Sequence, residues 1–504
     1  MSILPAFDAF QSAYEAGRAQ AVWTRLVADL ETPVSAYLKL AGGQPLSFLL
    51  ESVQGGEARG RYSIIGLKPD LVWRLRDGKA EINRRALSDP DAFEADGADA
   101  IASLRRLTKA VQFPLPHELP PMAAGLFGYL GYDFVRLIER LPPPKADTLG
   151  LPEGVLVRPT ITAIFDTVRD EVVVVTPVWP DSTVSAKAAY ARATERLNEA
   201  ITALEKPLAP ELAASYIAPM AATQSNTAHG DYLAIVEQCK EYIRAGEAFQ
   251  IVPSQRFHAP FKLPPIALYR ALRRINPSPF LYFLDLGAFS VAGSSPEILV
   301  RLRGGKVTIR PIAGTAKRGA TPEEDAALAT ALLADPKERA EHLMLVDLGR
   351  NDVGRVAATG TVKVVEQFTI ERYSHVMHIV SHVEGDLAHG RDAVDALMAG
   401  FPAGTLSGAP KVRAMEIINE LEADKRGLYA GGVGYFAADG SMDMCIVLRT
   451  AVVKDGTMYV QAGGGVVADS DLEAEYQETV NKSKALFRAA EEAVLFASRS
   501  RRGQ

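Results

Sequence analysis

Apolar and polar residues alternate with a period of two through many short runs of this chain, and Asp-Gly or Gly-Gly pairs punctuate them. LVWRLR and KAEIN flank Asp77-Gly78, and EILVRLR and KVTIRP flank Gly304-Gly305. The CIVLRTAVV run meets TMYVQAG across Asp455-Gly456, with Asp439-Gly440 ahead of it. Such alternation predicts strands with one buried face, and two-residue turns of this chemistry predict β-hairpins. A parallel pair would need a crossover of roughly a dozen residues, so the sheet is predicted to be antiparallel.

Between the strands the period lengthens. Tyr232, Val236, Cys239 and Ile243 recur at helical spacing over 231–245, and Gly246 follows as a stop. Segments 323–333 and 412–421 read likewise, and the Ala-rich, charged stretch 182–204 reads as a surface helix. Hairpins interspersed with helices predict an α+β fold, not a doubly wound nucleotide fold. Segment 206–229 is rich in Pro, Ala, Ser and Thr and only weakly periodic. It is the predicted linker between an N-terminal portion, 1–205, and a C-terminal domain, 230–504.

Composition narrows the function more than the fold. The chain has 504 residues, 48% of them hydrophobic and 23% charged, as in an ordinary soluble protein. Its net charge of -6 provides no general attraction for nucleic acid or an anionic membrane, so neither is an expected partner. An anionic substrate would need a local basic pocket or a metal. Two cysteines, Cys239 and Cys445, are too few for a disulfide framework, and neither lies in a CxxC pair. The first residues lack a basic stretch followed by an apolar run, and no ~18 apolar residues run together. A reducing cytoplasm is the expected compartment.

The last third of the chain carries the candidate chemistry. Glu475 and Glu478 lie three apart on one predicted helix, beside Glu473, and Glu338 and Glu341 lie three apart on another. A hard divalent cation prefers such carboxylates, and Mg²⁺ keeps positions open for substrate and water. Acidic pairs on helices are usually just solvated, and spacing alone cannot show that the two pairs meet. Gly463, Gly464 and Gly465 follow a strand, where bare backbone N–H groups can approach an anion. GTLSGAPK (404–411) lacks P-loop spacing, but a Gly-rich turn before a helix can cradle a carboxylate. His375, His378 and His382 lie in a β-rich stretch whose alternation puts His378 and His382 on one face and His375 on the other. No HExxH accompanies them, so zinc is not expected.

Taken in order, several segments resemble one family. RPIAGT (310–315), EHLMLVDLGRND (341–352), RYSHVMHIV (372–380), GTLSGAPKVRAMEII (404–418), YAGGVGY (429–435), CIVLRT (445–450), QAGGGVVADS (461–470) and ETVNK (478–482) are similar to the large subunits of anthranilate synthase among the chorismate-utilising enzymes. FLLESV near Phe48 and NPSPFLYF at Asn276 extend the likeness over nearly the whole chain.

The resemblance implies a large antiparallel β-sandwich flanked by helices, with the N-terminal portion as a regulatory, tryptophan-binding layer. It implies that Glu341 and Glu478 hold Mg²⁺, with Glu338 and Glu475 close by. Arg449, Tyr429, Gly314, Thr315, the Gly463–Gly465 backbone and Lys482 would bind chorismate. Glu297, in GSSPEILV, matches a general acid for the C4 hydroxyl, and His378 a histidine linked to pyruvate elimination, with Thr405 nearby. Leu50, Glu51, Ser52, Asn276, Pro279, Phe280 and Leu281 resemble a pocket for L-tryptophan as feedback inhibitor. Implied too is a glutamine amidotransferase small subunit, component II, in a heterotetrameric assembly.

Two positions separate the relatives. Where isochorismate- and salicylate-forming relatives carry a Lys that activates water, this chain has Gln250, which is no general base. Where the para-directed relative has a nucleophilic Lys in PIKGT, this chain reads PIAGT with Ala313. Direct ortho amination of chorismate is therefore the expected chemistry. A non-catalytic, tryptophan-sensing subunit of the same fold is the rival reading, and the intact set Glu297, Glu341, His378, Arg449 and Glu478 argues against it. Neither cysteine sits in a Gly-rich elbow, so ammonia must come from the second subunit or from solution.

Overall fold

The computed structural model describes residues 2–54, 58–97, 99–208, 220–373 and 376–498. His375 and the linker residues 209–219 lie outside the described residues.

The predicted hairpins form with the predicted turns. Arg76 faces Lys79, Arg303 faces Lys306, and Lys454 faces Thr457, each pair closed by two residues. Both central residues have positive φ, 50° and 69° at Asp77-Gly78, 55° and 73° at Gly304-Gly305, and 50° and 70° at Asp455-Gly456. That conformation matches the right-handed twist of the flanking strands, which is why Asp-Gly and Gly-Gly stand there. Among the described residues these hairpins merge into one 21-stranded sheet in which the paired strands run antiparallel.

The sheet crosses the predicted boundary. Strand Ser47–Gln54 pairs with Phe280–Asp285, and Gly125–Leu130 pairs with Gly432–Ala437. The N-terminal portion and the C-terminal domain thus share backbone hydrogen bonds, a continuity that no local periodicity reveals.

Burial explains the strands that read as unbroken apolar runs. In Glu171–Val178, Val173 and Val175 join a core of Trp23, Phe48, Phe127, Tyr282 and Tyr435, while Val172 and Val174 join a second core under helices. A strand covered on both faces needs apolar residues at successive positions. Helices Pro33–Ala41, Ala186–Glu205, Pro265–Ile275 and Leu472–Ser498 cover one face, and Ala100–Ala110 and Ala393–Gly400 pack over another core.

The helices predicted over 231–245, 323–333 and 412–421 appear as His229–Arg244, Pro322–Ala334 and Lys411–Leu421. That predicted over 182–204 begins later, at Ala186, because the Ser185 side chain accepts the Ala188 N–H and caps it. Two helices matter most for the site: Pro336–Gly354, capped by Asp335, and Leu472–Ser498.

Candidate active site

Glu297 lies just before strand Ile298–Arg303 and is buried. The Thr405 hydroxyl donates to its carboxyl oxygens at 3.3 and 3.4 Å, from the short helix Gly404–Ser407. Burial pushes the Glu297 carboxyl up to about 8, although the Thr405 hydrogen bond and Arg449 pull the other way. At neutral pH it therefore carries a proton, as a general acid must.

Arg449 has a φ of 48°, in the left-handed region that side chains other than glycine seldom adopt. Its carbonyl accepts the Ser294 N–H at 3.1 Å, which holds this backbone against strand Ser290–Ser295. Strain of this kind, about 1–3 kcal/mol, persists where the surroundings dictate it and often marks a functional position. The guanidinium has Glu297 and Tyr373 as its ionisable neighbours, and burial lowers its pKa. Since Glu297 is neutral, the cation lacks a full counter-charge, which suits an anionic ligand.

His378 sits on strand Val376–Asp386, facing Thr315 across the register. Its Nδ1–H donates to the Gly314 carbonyl at 3.0 Å, with the Thr315 hydroxyl 3.1 Å away, so Nε2 is the unprotonated nitrogen. Burial lowers the pKa, keeping the ring neutral and available as a base. Tyr373 packs edge-on against it at 5.5 Å between centroids. His382 instead lies 3.3 Å from Glu384, and among the described residues these histidines form no metal cluster.

The two acidic helices approach closely enough for their carboxylates to affect one another's charge. Burial raises the pKa of Glu341, and repulsion from Glu478 on the other helix adds to it. Glu338 is raised by burial and by Glu341; Glu475 is raised by burial, with a contribution from Glu478. Glu475 Oε1 accepts from the Ser470 hydroxyl at 2.7 Å, while its Oε2 is buried without a hydrogen-bond partner. An orphaned carboxylate oxygen among mutually repelling carboxylates is what a cation would satisfy. Among the described residues no three of these carboxylates are gathered closely enough to hold a metal ion by themselves.

The glycines have steric reasons. A Cβ on Gly464 would lie 2.8 Å from Glu475 Oε2, one on Gly465 2.6 Å from Gln250 Nε2, and one on Gly463 2.9 Å from the Tyr429 hydroxyl. Bare backbone thus threads between three side chains. Lys482 Nζ donates to the Gly463 carbonyl at 2.9 Å and pairs with Glu478 at 2.6 Å. Gly314, at φ 69°, brings its strand against the acidic helix, where a Cβ would approach Glu338 Oε2 at 3.0 Å. The 404–411 turn serves packing: Gly404 admits Leu348, and Lys411 is taken by Asp352 at 2.8 Å.

A second cluster lies one strand away. Leu50, Glu51 and Ser52 face Tyr282, Leu281 and Phe280 directly. Arg273 spans the Glu51 carboxylate with Nε at 2.6 Å and Nη2 at 2.9 Å, and the Tyr269 hydroxyl also donates to it. The Ser52 hydroxyl donates to the Tyr62 carbonyl at 3.2 Å. Pro279, half-buried, immediately precedes strand Phe280–Asp285, and the Asn276 carbonyl accepts from the buried Ser294 hydroxyl. Ser294 therefore bonds both to this cluster and, through its N–H, to Arg449.

Comparison with known proteins meets this geometry. The sequence pattern of chorismate binding enzymes matches residues 13–488. Anthranilate synthase component 1 of Cereibacter sphaeroides is 58% identical over 500 residues, covering 99% of this chain and 100% of its own length. The chain belongs to the anthranilate synthase component 1 family. The relative of the same name from Thermus thermophilus is 48% identical over 92% of this chain and 96% of its own. The crystal structure of anthranilate synthase component I from Streptococcus pneumoniae TIGR4 matches with a TM-score of 0.76 at 37% identity, over 92% of this chain and 99% of that one. The menaquinone-specific isochorismate synthase from Escherichia coli, at 19% identity and a TM-score of 0.68, shares the fold. Membership in the family agrees with the antiparallel α+β architecture and with an enzyme of chorismate chemistry.

Several residues of the site escape sequence reasoning. Gln250 stands out in sequence only for not being lysine, yet its side-chain amide lies near enough to Glu341 to pull that carboxyl's pKa down. Ser470 and Tyr373 lie inside recognised motifs without any local feature that marks them. Tyr269 and Arg273 are four apart on one helix, a readable spacing, but their partner Glu51 is distant in sequence.

Proposed function

We propose that this chain makes anthranilate and pyruvate from chorismate and ammonia, with Mg²⁺, as the committing reaction of tryptophan biosynthesis. The observation that carries the proposal is a buried, protonated Glu297 beside an under-neutralised Arg449 and a neutral His378. Chorismate is a dianion, and Arg449, Lys482, the Tyr429 hydroxyl, Thr315 and the backbone of Gly314 and Gly463–Gly465 are the donors that bind and orient it. Glu341 and Glu478 would hold Mg²⁺, with Glu338 and Glu475 beside them, and the ion would supply charge neutralisation at a substrate carboxylate.

Hydroxide leaves poorly, so Glu297, steadied by Thr405, gives its proton to the C4 oxygen as ammonia bonds to C2. His378 Nε2 then takes the C2 proton as the pyruvate side chain departs and the ring becomes aromatic. Gln250 and Ala313 offer no lysine to activate water or attack the ring, which favours ammonia at C2. The test is chromatography of the reaction with chorismate, Mg²⁺ and ammonium. Anthranilate and pyruvate are expected from the wild type. His378→Met is expected to accumulate a non-aromatic aminated acid, with anthranilate formation down about 10²- to 10⁴-fold. Para-aminobenzoate or isochorismate from the wild type overturns the assignment.

Drawing ammonia from glutamine requires a second chain. Cys239 and Cys445 are both buried, and burial pushes the Cys239 thiol up to about 12, so neither is placed or charged to attack glutamine. A glutamine amidotransferase, component II, is the proposed partner in a heterotetramer. No helix among the described residues is long and apolar enough to cross a membrane, and a cytoplasmic location is part of the same proposal.

Feedback inhibition by tryptophan completes it. The candidate residues lie around one strand pair: Leu50, Ser52 and Phe280 share one face, Leu281 and Glu51, fastened to Arg273, the other, and Asn276 and Pro279 stand at the strand end. Binding there bears on turnover through Ser294, which touches Asn276 and Arg449. Ser52→Val, bulkier and without a donor, is expected to raise the half-inhibitory tryptophan concentration at least about tenfold while sparing uninhibited kcat. Wild-type turnover unaffected by saturating tryptophan removes this part of the proposal.

A further inference from the structure

Behind Glu297 is a cavity that the mechanism leaves unused. It is lined by Glu297 and Thr405, by Asp352 near the end of helix Pro336–Gly354, and by apolar walls that include Leu345, Leu348 and Ile446. Arg449, His378 and the Gly463–Gly465 backbone do not line it. The empty space here, about 340 Å³ with open solvent included, has room for about two water molecules, and the two carboxyl groups and the Thr405 hydroxyl are polar partners for them. Asp352 is held by Lys411 Nζ at 2.8 and 2.9 Å, with Arg355 as its other charged neighbour, and Arg449 is the charge facing Glu297. The Lys411–Asp352 pair is almost wholly buried, at 9% and 6% side-chain exposure.

Each turnover empties Glu297 of its proton. The C4–O bond breaks with its electron pair, the oxygen takes the Glu297 proton and leaves as water, and Glu297 becomes a carboxylate. The nitrogen that bonds to C2 gives its extra proton to a water molecule on the substrate side. Glu297 must regain a proton from solvent before the next cycle.

We propose that the cavity is the return path, with waters carrying a proton from solvent to Glu297 and with Asp352 as the positioning residue that accepts hydrogen bonds from them. The inference rests on Glu297 as the general acid. Burial raises the Asp352 pKa, the Lys411 pairing opposes that rise, and its oxygens are hydrogen-bond acceptors.

The experiment uses the full chain with saturating ammonium, comparing a rapid-quench first turnover with the steady state. In the double variant Asp352→Asn/Lys411→Met the ion pair is removed as a unit, which leaves no unpaired buried charge. The first turnover is expected at the wild-type rate, because Glu297 starts protonated, while steady-state kcat falls roughly tenfold with KM for chorismate unchanged. Equal losses in both phases, or no loss in either, overturn the path. The wild type provides a second readout: in mixed H₂O and D₂O its steady-state kcat is expected to bow, as for several protons moving along waters, and a linear plot overturns the path. Failure of the underlying reading is distinct, since Glu297→Gln would then turn over at the wild-type rate.

Discussion

Replacing Glu297 with Gln is expected to lower kcat by about 10²- to 10⁴-fold, the usual contribution of a positioned general acid, with little change in KM for chorismate. Gln is nearly isosteric and still accepts the Thr405 hydrogen bond, but it has no acidic proton to give the C4 oxygen. The wild-type pH profile provides the matching signature. Burial raises the Glu297 pKa to about 8, so the active acid form predominates below that pH and is lost above it. Log kcat is therefore expected to be flat near neutrality and to fall as pH rises through about 8. Burial lowers His378, so its active neutral form persists to lower pH than in an exposed histidine, placing the acid limb below 6.5. A Glu297→Gln enzyme within tenfold of wild type, or a profile that keeps rising beyond pH 9, excludes Glu297 as the acid.

Glu341→Gln and Glu478→Gln are expected to raise the Mg²⁺ concentration for half-maximal turnover by well over tenfold, since each removes a negative charge from an ion held by few protein ligands. The structure adds a second expectation with the opposite sign. Glu341 is raised by burial and by repulsion from Glu478, so without metal these carboxylates oppose one another and destabilise the fold. Glu341→Gln relieves that repulsion. In chelator its thermal midpoint should stand above that of the wild type, while added Mg²⁺ should raise it by less. Differential scanning calorimetry measures both, and isothermal titration with Mg²⁺ reads binding without reference to activity. A variant with unchanged Mg²⁺ affinity, or one less stable than wild type in chelator, counts against these carboxylates as the metal site.

The hairpins at Asp77-Gly78, Gly304-Gly305 and Asp455-Gly456, the helix over 323–333 and the acidic pairs at 338–341 and 475–478 were all legible in the chain. Each rests on interactions within a few residues: a turn that demands positive φ, an amphipathic period, an i,i+3 spacing. The recognised motifs likewise named Glu297, Thr405, His378, Gly314 and Thr315, because family likeness is a property of local strings.

What those strings could not contain was the meeting of elements far apart in the chain. The 206–229 segment read as a boundary, yet Ser47–Gln54 and Phe280–Asp285 share a ladder across it, because strand pairing is chosen by complementary faces over the whole sheet. The approach of Glu341 to Glu478, the spanning of Glu51 by Arg273, and the place of Asp352 behind Glu297 depend on helix-on-sheet packing that only the closed core imposes. So do the shifts that make the chemistry work. The sequence determined which acids and bases the protein owns and the local shape of each segment carrying them. Tertiary structure decided which are buried and which face one another, and so which carboxyl keeps its proton, because desolvation and Coulomb interaction depend on distance through space.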